Sequence, residues 1–405
     1  MNRLVIADPG LECRASVVVP VCNEENNLRN CLNALLHQSL PHQFYEVVVL
    51  LNNCTDSSPQ IARQFQQEHP AFALHLVERW LPKKNANVGT ARRMLMEEAS
   101  QRLPSSGAIL STDGDTTVAS NWVARNLELL TSGMDAVGGD ITLHPGDFAK
   151  LPASSRRQYT EDARYLSAVT RLESLLDPDP HDPWPRHHHH FGASLACTNA
   201  LYTQVGGLPK ADCLEDVAFV NAIMRADAKL RHSPDVTVVT AARTTGRARI
   251  GLASQLREWH ASHEEPLVDS APFLKTYFAW RAHLRAIWNC GTLLRNTTSH
   301  ELANLIGMQC AVLQNQLETA STFGSLLQAI DLRGRLWHRT APVRRVGKRA
   351  QVTEQITLLA ESLLAAGHQS GSAPACSLPY APIRNGRESI HVPDLQWRDN
   401  PGQVA

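Results

Sequence analysis

Hydrophobic positions in the first third of the chain alternate between two periods. The run Ala15-Ser16-Val17-Val18-Val19-Pro20-Val21 is short, β-branched and almost wholly apolar, which predicts a buried parallel strand. From Asn26 to Gln38, residues Leu28, Leu32, Leu35 and Leu36 fall at helical spacing. Glu46 to Leu51 reads as a second buried strand, Ser58 to Glu68 as a second helix, and Ala73 to Val77 as a third strand. Gly89 to Gln101 follows as a helix and Ala108 to Thr112 as a strand. Such repetition with short connections predicts an α/β fold, a mostly parallel sheet flanked by helices. Ligands of these sheets sit at the carboxyl ends of the strands. Chemistry is therefore expected just after Val21, Leu51 and Thr112.

The pattern loosens between residues 144 and 190. One amphipathic helix is expected from Tyr159 to Leu176. The proline-punctuated stretch Asp177-Pro178-Asp179-Pro180-His181-Asp182-Pro183-Trp184-Pro185 then suits only a loop. Val236 to Thr240 is the last β-branched strand. Beyond it, Leu274 to Leu294, Ser299 to Leu327 and Val352 to Ala366 all read as helices. The expected organisation is a catalytic sheet domain over 1–252, with 144–190 as an irregular insertion suited to an acceptor loop. A helical C-terminal region over 253–368 and a Pro/Gly/Ser-rich tail over 369–405 follow.

Composition narrows the function classes. The chain has 405 residues, of which 43% are hydrophobic, so wholesale disorder is excluded. With 39 Lys+Arg against 39 Asp+Glu it lacks the basic footprint of a nucleic-acid binder. No window reaches the ~18 uninterrupted apolar residues of a membrane helix. The N-terminal residues lack a long apolar run, so no secretory leader is expected. The nine cysteines are scattered without a CxxC pair, which argues against a disulfide framework and for a reduced, cytoplasmic setting.

Three constellations could carry chemistry. In Ser111-Thr112-Asp113-Gly114-Asp115, two carboxylates flank a glycine at a strand end, giving hard oxygen ligands for Mg²⁺ or Mn²⁺. A solvated turn is the competing reading. Glu215-Asp216 opens a helix, where a carboxylate serves either as a general base or simply as a first-turn complement to the helix dipole. Arg243, Arg247 and Arg249 surround Gly246 directly after the last strand and can fork onto phosphate oxygens; a solvated basic loop is the alternative. Gly89 and Arg92 offer a helix N-terminus with a cation, suited to an anion. The run His187-His188-His189-His190 reads as a mobile polar loop. Adjacent residues cannot all face one centre, and no second His or Cys cluster stands at ligand spacing.

Taken together, these motifs resemble the family 2 glycosyltransferases of GT-A fold. The matching stretches are Val19-Pro20-Val21-Cys22-Asn23-Glu24-Glu25, Leu51-Asn52-Asn53-Cys54-Thr55-Asp56 and Asn87-Val88-Gly89-Thr90-Ala91-Arg92. The series continues with Asp113-Gly114-Asp115, Val205-Gly206-Gly207-Leu208 and Glu215-Asp216. The resemblance covers roughly residues 14–260 and leaves the C-terminal third outside it. It implies a nucleotide-sugar donor, with Pro20, Asn23 and Glu24 lining the nucleoside pocket. Asn52 stands where the family usually has an Asp contacting the base, which points to uracil but leaves guanine open. Asp113 is implied at the ribose or the metal, Asp115 as principal metal ligand, and Asp216 as general base with Glu215 its neighbour. Gln255-Leu256-Arg257-Glu258-Trp259 only approaches the family's Q-x-x-R-W, so Arg243, Arg247 and Arg249 are expected to clamp the diphosphate. A small-molecule or lipid-linked acceptor is expected, with peripheral membrane contact open and no nucleic acid. Two other readings stay open. A nucleotidyltransferase would want a Gly-rich basic loop where Cys22-Asn23-Glu24-Glu25 is acidic. A non-catalytic nucleotide-sugar-binding scaffold would have no need for Asp113, Asp115 and Asp216.

Overall fold

A computed structural model describes residues 10, 12–211, 213–246, 250–262, 264–289, 292–340 and 345–370, with 292–298 and 367–370 described by their backbone. The N-terminal part runs β1 (Ala15–Val21), α1 (Leu28–Leu36), β2 (Tyr45–Asn52), α2 (Ser58–Glu68), β3 (Leu74–Arg79), α3 (Val88–Arg102) and β4 (Ala108–Ser111). Each element lies within two residues of its expected bounds. Then come β5 (Thr116–Val118), α4 (Trp122–Thr131), β6 (Ala136–Leu143), α5 (Pro145–Lys150), α6 (Ala153–Leu176), β7 (Leu195–Thr198), α7 (Asn199–Gln204), α8 (Glu215–Arg225) and β8 (Leu230–Thr240). The C-terminal part holds α9 (Leu252–Ala261), β9 (Leu267–Asp269), α10 (Ala271–Asn289), α11 (Thr292–Ile306), α12 (Cys310–Thr319), α13 (Phe323–Ile330), α14 (Leu332–Arg339), β10 (Val346–Lys348) and α15 (Arg349–Ser370).

Eight strands form one sheet in the order β3-β2-β1-β4-β7-β6-β8-β5. Every neighbouring pair from β3 to β4 is parallel, and so is β6 with β8. Only β7 and the edge strand β5 run against their neighbours. This is the expected class: a mostly parallel sheet between helices, followed by a helical region. Alternate residues of β1 and β2 feed two cores. Val17, Val19, Val47 and Val49 pack with α1 and α2 on one face. Val18, Val48 and Leu50 pack with α3, α7 and α8 on the other. Burial on both faces is the physical reason these strands read as unbroken apolar runs.

Differences from the expectations have local causes. The 144–190 stretch contains α5 and the 24-residue α6, and irregular chain is confined largely to its last third. The α6 face carrying Tyr165, Leu166, Val169 and Leu172 shares a core with Leu274 and Phe278 of α10 and Val352 and Ile356 of α15. The stretch is thus docked on the C-terminal helices. The expected helix 299–327 is broken in two places, one of them at Gly307, whose φ of +65° ends α11. The tail from 371 lies outside the described residues. The cysteines among the described residues form no disulfide, and none of the described helices is long and apolar enough to cross a membrane.

Candidate active site

The strand ends of β1, β2 and β4 meet as the parallel sheet requires. Asn23, just past β1, adopts a φ of +56°, a conformation asparagine tolerates well. Its Oδ1 accepts the Thr55 amide at 2.7 Å and its Nδ2 donates to Thr55 Oγ1 at 3.1 Å, so one side chain splices the loops after β1 and β2. Asn53 repeats the device towards β3, accepting from the Leu81 amide at 2.8 Å and donating to its carbonyl at 3.0 Å. Pro20 and Asn52 are buried at the ends of their strands. Asn52 Oδ1 and Thr112 Oγ1 have no hydrogen-bond partner among the described residues.

Arg92, in the second turn of α3, is the hub of the site. The helix begins at the Asn87 cap, whose Oδ1 accepts from the Thr90 amide at 2.8 Å, and Gly89 lies against Ala211 and Glu215. Sequence reasoning gives Arg92 to an external anion, but the structure buries it at 3% exposure and turns it inward. Its Nε donates to Glu215 Oε1 at 3.1 Å and its Nη2 to Asp113 Oδ1 at 2.8 Å. Its Nη1 donates to the Gly192 carbonyl at 3.0 Å and to Ser111 Oγ. Burial opposes the positive charge, and Asp113 and Glu215 more than restore it, so the guanidinium stays charged. Gly192 is the residue this contact demands, because a Cβ there would collide with the guanidinium.

Asp216 lies in the first turn of α8, beyond Leu214 in the left-handed region (φ +55°). Its carboxylate accepts the Gly192 amide at 2.9 Å and the Val217 amide at 2.8 Å. Burial, reinforced by the adjacent Glu215 charge, pushes its pKa up to about 6, against the opposing pull of Arg92 and the two amides. The structure therefore brings Arg92, Asp113, Glu215 and Asp216 together from three distant parts of the chain. The sequence offers no signal for Gly192, which links them.

Arg243 follows β8 and crosses the mouth of the site. It forks onto Glu24, Nη1 to Oε2 at 2.9 Å and Nη2 to Oε1 at 2.7 Å, and reaches Asp115 Oδ2 at 2.6 Å. The expected phosphate clamp is thus, in this state, a bridge between two carboxylates, and at 29% exposure it remains accessible to a ligand. Arg247 and Arg249 lie outside the described residues. The carboxylates of Asp113 and Asp115 are hard oxygen donors at one strand end, a set that fits Mg²⁺ or Mn²⁺. The arginines supply counter-charge in the same place.

The histidine run departs from the expected mobile loop. Its residues are half-buried, and the rings of His188 and His189 lie 4.2 Å apart. Burial, with His232 and His189 alongside, brings both His187 and His190 down to about 3, so they are neutral near pH 7. The segment is anchored upstream by buried Asp182. That carboxylate accepts from Arg186 at 2.7 Å, from Arg231 at 3.0 Å, and from the His232 amide and Nδ1 at 2.9 and 2.7 Å. Burial alone would raise the Asp182 carboxyl, but His232 and Arg186 outweigh it and hold it well below the usual range.

Residues 16–184 match the family described as Glycosyl transferase family 2. Among curated proteins, glycosyltransferase AglE of Haloferax volcanii is 35% identical over 128 residues, which are 31% of this chain and 38% of AglE. The poly(ribitol-phosphate) beta-glucosyltransferase of Bacillus spizizenii is 34% identical over 56 residues, 14% of this chain and 9% of that protein. The chain thus spans well under half the length of either curated relative. Among solved structures, the mannosyltransferase PcManGT from Pyrobaculum calidifontis, in complex with GDP-Man and Mn²⁺, aligns at TM-score 0.43 and 20% identity, covering 84% of this chain and 92% of that one. TarS 1–349 of S. aureus in complex with UDP aligns at TM-score 0.39 and 14% identity, covering 89% and 92%.

Proposed function

We propose that this chain, whose residues 16–184 match glycosyl transferase family 2, moves a sugar from a nucleoside-diphosphate donor to an acceptor hydroxyl with inversion. The observation that carries this reading is the Asp216 carboxylate, poised at about 6 beside the Arg92–Asp113–Glu215 network. Pro20, Asn23, Glu24 and Asn52 line the nucleoside end. Asn52 Oδ1, an acceptor with no partner among the described residues, suits the ring N–H of uracil, a donor guanine also presents. Gly89 and Arg92 back the donor site, and Arg243, with Arg247 and Arg249, meets the diphosphate.

Asp113 and Asp115 would hold Mn²⁺ or Mg²⁺, which when bound neutralises the departing diphosphate. The acceptor O–H gives its proton to Asp216 as its oxygen bonds to the anomeric carbon. The bond from that carbon to the diphosphate oxygen breaks on the opposite face, which inverts the centre. Arg243, drawn from Glu24 and Asp115 to the phosphates, stabilises the charge that develops there. The acceptor, a small molecule or a lipid-linked one, is assigned to the surface formed by the 144–190 stretch and the helical region after 252. The scattered cysteines, without a CxxC pair, suit a reduced, cytoplasmic setting.

Thermal stabilisation by UDP-, GDP- and dTDP-sugars with Mn²⁺, paired with an assay for released nucleoside diphosphate, tests the reading. A UDP-sugar at a hundred times its Kd should add about 2.7 kcal/mol of stability. Stabilisation only by nucleoside triphosphates would indicate nucleotidyl transfer, and stabilisation without turnover a binding scaffold.

A further inference from the structure

We propose a second cation site, separate from the Asp113–Asp115 pair, in which Asp140, His187 and His189 bind a Zn²⁺-class ion and clamp the segment that leads into Gly192. Ligand atoms of these three residues all lie within 4.8 Å of one another. Asp140 Oδ1 and His189 Nδ1 are 2.9 Å apart, and the Ile141 amide is 3.2 Å from the same nitrogen. Ligands of a tetrahedral Zn²⁺ at ~2.0–2.1 Å stand about 3.3 Å from each other, so small adjustments admit the ion.

The tautomer of His187 follows from its neighbours. Its Nδ1 accepts the His189 amide at 3.0 Å, so the ring proton sits on Nε2, which donates to the Ser233 carbonyl at 3.1 Å. A ligating histidine ordinarily has this outer arrangement, one ring N–H on a backbone carbonyl and the other lone pair turned to the ion. Coordination exchanges one short-range amide contact for a metal bond.

The backbone is built for this approach. Gly138 and Gly139 leave β6 bare where the histidine segment crosses it. A Cβ on Gly138 would stand 2.7 Å from the His189 carbonyl, and one on Gly139 would collide with Ser194 Oγ. The β6–β8 register shifts between Gly139 and Asp140, a bulge that sets the direction of the Asp140 side chain. Four consecutive histidines contribute two ligands: His187 and His189 converge on Asp140 with their rings 5.5 Å apart, while His232 packs against His187 at 5.8 Å and His190 at 5.7 Å. Two imidazoles and one carboxylate favour Zn²⁺ over Mg²⁺. Only His190 and Phe191 separate His189 from Gly192, whose amide holds Asp216, so the ion would fix the donor of that hydrogen bond. The link to the reaction rests on Asp216 as base, whereas the binding itself does not.

The test uses the full chain without an affinity tag, stripped with EDTA and titrated with Zn²⁺ against a chromophoric chelator. One ion per chain is expected, unmoved by excess Mg²⁺. Asp140→Asn, His187→Ala and His189→Ala should each weaken it by at least about tenfold. The double change His188→Ala with His190→Ala, and separately Asp115→Ala, should leave it within threefold. Zn²⁺ should also slow hydrogen exchange across residues 187–192. Equal loss in the His188/His190 variant would mean that the run binds as an unstructured polyhistidine. Full affinity in Asp140→Asn, whose shape is nearly unchanged and which carries the test if the alanine variants misfold, would remove the site. Either result overturns the proposal, and neither bears on sugar transfer.

Discussion

The Gly192 amide donates to Asp216 Oδ2 at 2.9 Å while the Gly192 carbonyl accepts from Arg92 at 3.0 Å. One peptide segment therefore touches both the proposed base and the arginine that counterbalances it. A carboxylate gripped this way keeps one direction, which a base must have to meet an incoming hydroxyl.

Asp216 should impose an acid limb on turnover. Its pKa is raised to about 6, so the basic, deprotonated form prevails above that pH and is lost below it. Transfer rate should climb with pH through about 6 and then level off. Asp216→Asn should cost about 10²- to 10⁴-fold in kcat while donor affinity stays within a few-fold. Glu215→Gln removes a neighbouring negative charge and should move the limb to lower pH. A wild-type limb persisting in Asp216→Asn would transfer the role to another group.

Arg243 and a divalent ion compete for Asp115. Removing the guanidinium, as in Arg243→Met, should tighten Mn²⁺ binding several-fold in the absence of nucleotide, since the 2.6 Å ion pair no longer opposes it. Donor binding should weaken in the same variant. Asp115→Ala should abolish the Mn²⁺ dependence of donor affinity, measured by calorimetry with and without EDTA. Unchanged wild-type donor affinity in EDTA would refute metal assistance.

Asp182 should matter for stability. It is buried, and removing it takes from Arg231 its carboxylate partner, leaves Arg186 with Glu173 alone, and unpairs the His232 donors. Asp182→Ala is expected to cost about 3–5 kcal/mol in denaturant unfolding, the range for a broken buried ion pair. Because its carboxyl is held below the unfolded value, this contribution is present at neutral pH. It should fade as pH falls below about 4, towards its depressed native pKa.

The sequence by itself determined the elements whose burial pattern is local. The strands β1, β2 and β4 announce themselves because both faces are covered, and their carboxyl ends carry Asn23, Asn52 and Asp113, so the position of the site was legible too. The strands β6 and β7 escaped notice. Gly138-Gly139 interrupts the first, and the second, Leu195-Ala196-Cys197-Thr198, has Thr198 as its one β-branched residue, so neither shows a β-branched run. Only the tertiary structure decided which charges meet. Arg92 and Glu215 are 123 residues apart, and Arg243 and Glu24 are 219 apart. Sheet order brings these pairs together, and no period along the chain encodes sheet order. The histidine run makes the same point: as a string it reads as loop, and its convergence with Asp140 exists only because β6 is bare enough for the backbone to lie against it.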